Sequence, residues 1–168
     1  MQQDELRAIQ APLKARYKDD PGAALITLSA EGAIGEGVTC SVETGRALAR
    51  AGLHPATGGS AENLCSGDML LQALVACAGV TLNAVATALG LAVRDAKLRA
   101  EGDLDFRGTL AVDREAPVGF REIRLLVEID GDLDEEQKAK LLGLTERYCV
   151  VYQTLRNAPS LTISSRFS

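Results

Sequence analysis

Between Asp68 and Arg94 the chain carries no charged residue. The run LCSGDMLLQALVACAGVTLNAVATALG, residues 64–90, sets apolar side chains on every side of a helical wheel, the pattern of a helix buried all round. Ser66 is placed to cap it, and Asp68 then lies in the first turn, where a negative charge favours the helix dipole. Gly90 is a natural stop. At ~1.5 Å per residue such a helix is about 35 Å long, enough to cross a small domain. Cys77 sits near its middle. The length also suits a membrane span. Gln72 and Asn83 inside the run, the many Ala and Gly residues and the lack of Lys or Arg clusters at its ends argue instead for a core helix.

The rest of the chain is expected to pack around this helix. Asp4–Tyr17 predicts a helix with Leu6, Ile9, Leu13 and Tyr17 on one face, which Pro12 would kink or split. Asp19-Asp20-Pro21-Gly22 ends it. Ala23–Ser29 and Gly35–Val42 read as the two strands of a hairpin turning at Glu31-Gly32, with Cys40 in the second. Thr44–Leu53 reads as a short helix or an irregular stretch, and His54–Ser60 as a loop leading into the long helix. Ala92–Phe106 is a strand interrupted near Gly102, with Leu110–Val112 as its continuation; Phe120–Ile129 is a second strand, with Ile123, Leu125 and Val127 on one face. Asp134 and Gln137 form a capping-box pair for a helix that weakens at Gly143. Thr145 would cap a shorter helix, Glu146–Arg156, containing Cys149, and Leu161–Phe167 would be a final strand. This order predicts an α+β fold with largely antiparallel sheets wrapped around the long helix. One domain is expected over 1–168, with 1–20 as an N-terminal helical extension.

Composition narrows the function classes. With 18 basic against 23 acidic residues, a net charge of −5 and no basic cluster, nucleic-acid binding is not expected. Trp is absent and aromatics are scarce, so no stacking platform for bases is available. The first residues, MQQDELRAIQ, carry acidic side chains and no apolar core, so they do not read as a secretory signal, and a cytoplasmic location is expected. There the four cysteines would stay reduced, which favours thiol chemistry or metal binding over structural disulfides.

Several chemistries lack their parts. Gly32–Gly37 is glycine-rich but has no P-loop Lys and Ser/Thr. His54 is the sole histidine and has no nucleophile elbow to serve. Asp130, Asp132 and Asp134 resemble an incomplete calcium loop, and capping of the next helix explains them better. Cys65 and Cys77 would lie roughly 18 Å apart along one helix, too far for a disulfide. Cys65 with His54 or Cys40 has no metal-ligand spacing, and this metal site is the weakest reading. No cofactor is expected. Cys77 and Cys149 remain, each on a predicted helix in an apolar context.

Gly58-Gly59 followed by SGDMLLQALVACAGVTL resembles the central helix of the OsmC/Ohr family, where a Gly-Gly loop and a helix of the form ELLLAALAAC carry the first reactive cysteine. ERYCVVYQTL resembles the family's second motif, in which a cysteine begins a helix. The resemblance runs from about Ala23 to the C-terminus. It implies an intertwined α+β homodimer that reduces organic hydroperoxides, with Cys77 as the peroxidatic thiol and Cys149 as the resolving one. It further implies a hydrophobic hydroperoxide substrate and a dithiol reductant, a lipoylated protein in the hydroperoxide-resistance branch. This chain is distant from that branch. Its first hairpin turn, Ser29–Glu36, has no Arg, Gly67 stands where the partner Glu would be, and Val150 replaces the Pro after the second cysteine. Asp68, Arg46, Arg50 and Arg147 are the candidate supporting or activating residues. The alternative is a non-catalytic dimer of the same fold that binds a small apolar ligand or acts in stress response.

Overall fold

A computed structural model describes residues 2–19, 32–34, 39–43, 48–59, 62–111 and 113–167. Helix α1 (Gln3–Asp19) runs through Pro12, which was expected to kink or split it and instead lies exposed inside one unbroken helix. Gln3 anchors its start, donating from Nε2 to the Ala88 carbonyl at 2.8 Å. That carbonyl belongs to the last turn of a second helix, where no intrahelical donor is left to meet it.

The expected strand Ala23–Ser29 and Arg46 lie outside the described residues. Strands β1 (Gly32–Ile34) and β2 (Thr39–Glu43) are antiparallel, with Ile34 opposite Cys40. Gly32, assigned to a turn from its dipeptide, is therefore a strand residue. β3 (Leu48–Gly52) pairs antiparallel with β2, so the described part of the stretch read as helical or irregular is a strand up to Gly52. Arg46 and Arg50 at a four-residue spacing mimic a helix. The alternation across half-buried Ala49, exposed Arg50 and half-buried Ala51 is the strand signal, and sheet pairing decides between them. β3 pairs in parallel with the two-residue β4 (Leu64–Cys65), giving the order β1-β2-β3-β4.

β4 leads directly into α2 (Ser66–Leu89). Its N-cap is Cys65 rather than Ser66, with no side-chain cap bond; Asp68 lies in the first turn, and Gly90 closes the helix at φ 65°, a left-handed conformation that glycine adopts without strain. Leu74, Ala78, Leu82 and Ala86, four apart, form its buried stripe. The expectation of burial all round does not hold in the single chain. Ala73, Ala76, Val80 and Asn83 follow one another on the far side and are exposed, Val80 by 73%. Apolar composition specifies that a face wants cover, not which element supplies it. Of the described helices α2 alone is long and apolar enough to cross a membrane, yet its stripe forms the centre of both core clusters.

β5 (Val93–Leu104) and β6 (Phe120–Gly131) make a two-stranded antiparallel sheet over that stripe. β5 continues through Gly102, which pairs with Ile123; the irregularity lies one residue on, between Asp103 and Leu104. Gly102 is there for space, since a Cβ would lie 2.5 Å from the Phe120 ring. The one-turn helix α3 (Phe106–Thr109) follows, capped by Asp105, so Leu110 is a turn residue and does not extend the strand. Ile123, Leu125 and Val127 face α2 as expected.

α4 (Glu135–Tyr148) opens with the Asp134–Gln137 capping box. It continues past Gly143 and Thr145, where a break was expected, and stops at Cys149. A helical glycine costs only about 1 kcal/mol, and Leu141, fully buried against α2, holds this region in register. Thr145 is buried and its hydroxyl donates to the Leu141 carbonyl at 2.8 Å, so it stays within α4. α5 (Val150–Arg156) completes the regular structure. Residues 158–167 form no strand and are exposed, Ile163 by 98%, because no described edge pairs with them.

Candidate active site

Cys77 lies between Leu74 and Ala78 at the border of the buried stripe of α2. One turn on, the Thr81 hydroxyl donates to the Cys77 carbonyl at 2.8 Å. Cys149 arrives from the opposite direction. It is at once the C-cap of α4 and the N-cap of α5, extended at φ −71° and ψ 108°. Its N–H donates to the Thr145 carbonyl and its carbonyl accepts from the Gln153 N–H, both at 2.9 Å, so the junction is bonded on both sides. The first N–H groups of α5, those of Val150 and Val151, act on the Cys77 thiol.

The two thiols meet. Cys77 packs against Cys149 within a cluster of Leu74, Ala78, Leu98, Ile123, Leu125 and Tyr152. Cys149 is 1% exposed, and both thiols are free. Burial pushes the Cys77 thiol up, but the Val151 N–H, the Cys149 side chain, the Val150 N–H and the Thr81 hydroxyl outweigh it, and the net shift is below the ordinary value of 9.0. Burial also pushes Cys149 up; the N–H groups of Tyr152 and Val151 act against this, while the neighbouring Cys77 pushes the same way as burial, and the net shift is upward. The pair thus favours a thiolate on Cys77 and a proton on Cys149. Among the described residues the groups that lower Cys77 are hydrogen-bond donors, two of them backbone N–H groups, and none is a cation.

A cavity of about 300 Å³ opens beside the pair. Leu74, Ile123, Leu125 and Tyr152 belong both to its wall and to the thiol cluster. Arg121 and Arg156 supply its polar side. Arg156 pairs with Glu146. Arg121 reaches Asp105 at 3.7 Å, a carboxyl that the Arg107 side chain holds down at about 2.

The other expected site residues lie elsewhere. Asp68 lines a second cavity with Cys65 and His54, away from the thiol pair. Arg50 is exposed on β3, and the Arg147 guanidinium lies 5.6 Å from the centre of the Tyr148 ring. Neither acts on Cys77. His54 accepts the Ala56 N–H on Nδ1 at 3.0 Å and stacks on Phe106 at 4.9 Å, which makes it a cap and a packing residue. Among the described residues no three His, Cys, Asp or Glu side chains gather as a metal set. Arg121 and Arg156 were missed. Arg156 had a signal, since it follows Cys149 by seven residues, two helical turns along one face; Arg121 had none.

Two free cysteines brought together by a long central helix and a broken helix, on an α+β frame, define a paired-thiol protein. The chain belongs to the OsmC-like family: the model of that family, described as OsmC-like protein, matches residues 59–164. No curated protein sequence matches the chain significantly. Among solved structures, it resembles an OsmC-like protein from Mycoplasma pneumoniae with a TM-score of 0.67 at 17% identity, covering 79% of this chain and 89% of that one. An organic hydroperoxide resistance protein from Elizabethkingia anophelis gives a TM-score of 0.63 at 17% identity over 80% and 91% of the two chains. The organic hydroperoxide resistance protein OhrB of Bacillus subtilis gives 0.56 at 18% identity over 79% and 93%. At these identities the likeness is one of fold.

Proposed function

We infer that this chain is a thiol-dependent peroxidase that reduces organic hydroperoxides, with Cys77 as the peroxidatic thiol and Cys149 as the resolving one. The observation that carries this reading is the contact between the two thiols with opposite shifts, Cys77 down and Cys149 up. The Cys77 thiolate attacks the terminal oxygen of the hydroperoxide. The O–O bond breaks, the sulfur becomes a sulfenic acid, and the alkoxide takes a proton to leave as the alcohol. The Cys149 thiol then displaces the hydroxyl as water and a Cys77–Cys149 disulfide forms. A dithiol reductant restores both thiols by exchange; by family resemblance this would be a lipoylated protein. The apolar wall of the adjoining cavity suits the alkyl part of a hydrophobic hydroperoxide.

The exposed apolar face of α2 and the apolar tail bearing Leu161, Ile163 and Phe167 support a homodimer, in which a second copy covers them. Paired free thiols fit a reducing, cytoplasmic setting. The test of the activity is mass spectrometry after one equivalent of cumene hydroperoxide. A Cys77–Cys149 bridge is expected, with peroxide consumption lost in Cys77→Ser; full consumption in that variant would sink the reading. A second reading is a non-catalytic fold that holds an apolar ligand in the same cavity. It is favoured by the lack, among the described residues, of any charged side chain that lowers Cys77. Absence of the bridge, with binding of cumyl alcohol retained, would select it.

A further inference from the structure

Phe120 begins β6 and pairs with Leu104 at the register shift that follows Asp103. Its ring is seated where two glycines leave room. A Cβ at Gly102 would lie 2.5 Å from Cε1 and 2.6 Å from Cδ1, and one at Gly67 would lie 3.4 Å from Cζ. At Gly102 not even a methyl fits with the ring where it is, whereas at Gly67 a Cβ would meet the ring edge in ordinary van der Waals contact.

Phe120 stands between two cavities. The thiol-side cavity of about 300 Å³ is walled by Leu74 and β6, and the second, of about 350 Å³, by Leu71, Leu104 and Phe106, with His54, Cys65 and Asp68 beyond. Phe120 is the one described residue that lines both. Leu71 and Leu74 are neighbours on α2, roughly 4.5 Å apart along its axis. The two spaces therefore follow one another along the helix, with the ring as the partition.

We propose that Phe120 sets the length of the alkyl chain that the thiol site accepts, by closing the thiol-side cavity against the second one. A compact group such as cumyl or tert-butyl stays on the thiol side. An unbranched long chain has to turn the ring aside to extend into the second cavity. Applied to hydroperoxides, this rests on Cys77 being the attacked thiol; the partition itself is tested without peroxide.

The probes are ethyl and dodecyl methanethiosulfonate. The Cys77 thiolate attacks the sulfenyl sulfur, a Cys77–S–S–alkyl bond forms, and methanesulfinate leaves with the electron pair. Labelling is read at the Cys77 peptide by mass spectrometry, so that Cys65 in the second cavity is not counted. Phe120→Ala is expected to raise the dodecyl-to-ethyl rate ratio about tenfold, the effect of roughly two further methylenes entering an apolar site, with little change in the ethyl rate. An unchanged ratio in a variant with wild-type circular dichroism overturns the proposal. If Phe120→Ala does not fold, Phe120→Leu, which removes the flat ring but keeps an apolar filler, is expected to move the ratio in the same direction, and no movement there overturns the proposal equally. A raised ratio in a protein that consumes no hydroperoxide supports the assignment of Phe120 while overturning the peroxidase reading alone.

Discussion

The Cys77 side chain, midway along α2, packs against Cys149, at the junction where α4 ends and α5 begins. Neither helix creates the site by itself. α2 supplies a thiol with no positive end of its own nearby, and the α4–α5 break turns two backbone N–H groups toward it. Because Cys149 is also the cap of α5, the residue that would resolve a sulfenic acid on Cys77 belongs to the segment that aims those donors.

Separate roles for the two thiols lead to separable phenotypes. Cys149→Ser is expected to reduce one equivalent of cumene hydroperoxide and then stop, leaving a sulfenic acid on Cys77 that dimedone traps. Cys77→Ser is expected to yield no dimedone adduct at either position. Steady turnover by Cys149→Ser with a dithiol donor would show that resolution does not need Cys149.

The opposite shifts set an order of reactivity with pH. Cys77 lies below the ordinary thiol value of 9.0 and Cys149 above it. Iodoacetamide should label Cys77 first, with a rate whose half-maximal point lies below pH 9.0. For stability the signs oppose. The lowered Cys77 contributes above the unfolded thiol value and loses that contribution as pH falls through its folded value; the raised Cys149 contributes below the unfolded value and loses it as pH rises through its own. Thr81→Val removes the weakest of the groups that favour the Cys77 thiolate, a hydroxyl whose proton the Cys77 carbonyl also takes, so labelling at neutral pH should slow slightly with the plateau rate at high pH unchanged. A variant slowed equally at all pH values would mean that Thr81 controls access rather than charge.

Much of this arrangement is legible in the chain because it depends on local pattern. The stop of α2 at Gly90, the capping box at Asp134 and the facing of Ile123, Leu125 and Val127 follow from residue type and spacing alone. The misreadings share a different cause. β3 is a strand through its pairing with β2, against a spacing of arginines that mimics a helix. The break at Cys149 rather than Gly143 depends on the packing of Leu141. Arg121 reaches the thiol cavity because β6 happens to start beside α5, a proximity that no spacing along the chain records. Two of the donors on Cys77, the Val150 and Val151 N–H groups, are peptide groups, which carry no side-chain signature at all.

Leu141 tests the claim that packing decides where α4 stops. It is fully buried against Leu82 and Ala86, in the cluster remote from the thiols. Leu141→Ala should cost about 2–5 kcal/mol. The midpoint of thermal unfolding should fall by about 2–4 °C for each kcal/mol lost, the scale for a chain of this size. Well below that midpoint, the pH profile of Cys77 labelling should be unaltered. An unchanged melting midpoint would mean that the neighbours already tolerate a cavity there, and that helix propensity rather than Leu141 carries α4 past Gly143.

The glycines make opposite predictions, and together they separate backbone need from residue preference. A Cβ at Gly59 would lie 1.7 Å from the Leu53 carbonyl oxygen, and the Gly59 N–H donates to the His54 carbonyl at 3.1 Å. The chain cannot admit a methyl there without reopening the turn that delivers it to α2. Gly59→Ala should therefore destabilise by about 2 kcal/mol or more, the range for a substitution that forces a backbone shift in a packed region. Gly143 is inside α4, and a Cβ there would meet nothing within 4 Å. Gly143→Ala should stabilise by about 0.5–1 kcal/mol, since it removes only unfolded-state freedom. Chemical denaturation of both variants against the parent decides the matter. A neutral Gly59→Ala would show that the close approach to Leu53 is not required, and the Gly58-Gly59 pair would then need its explanation in Gly58 alone, held at φ 92°.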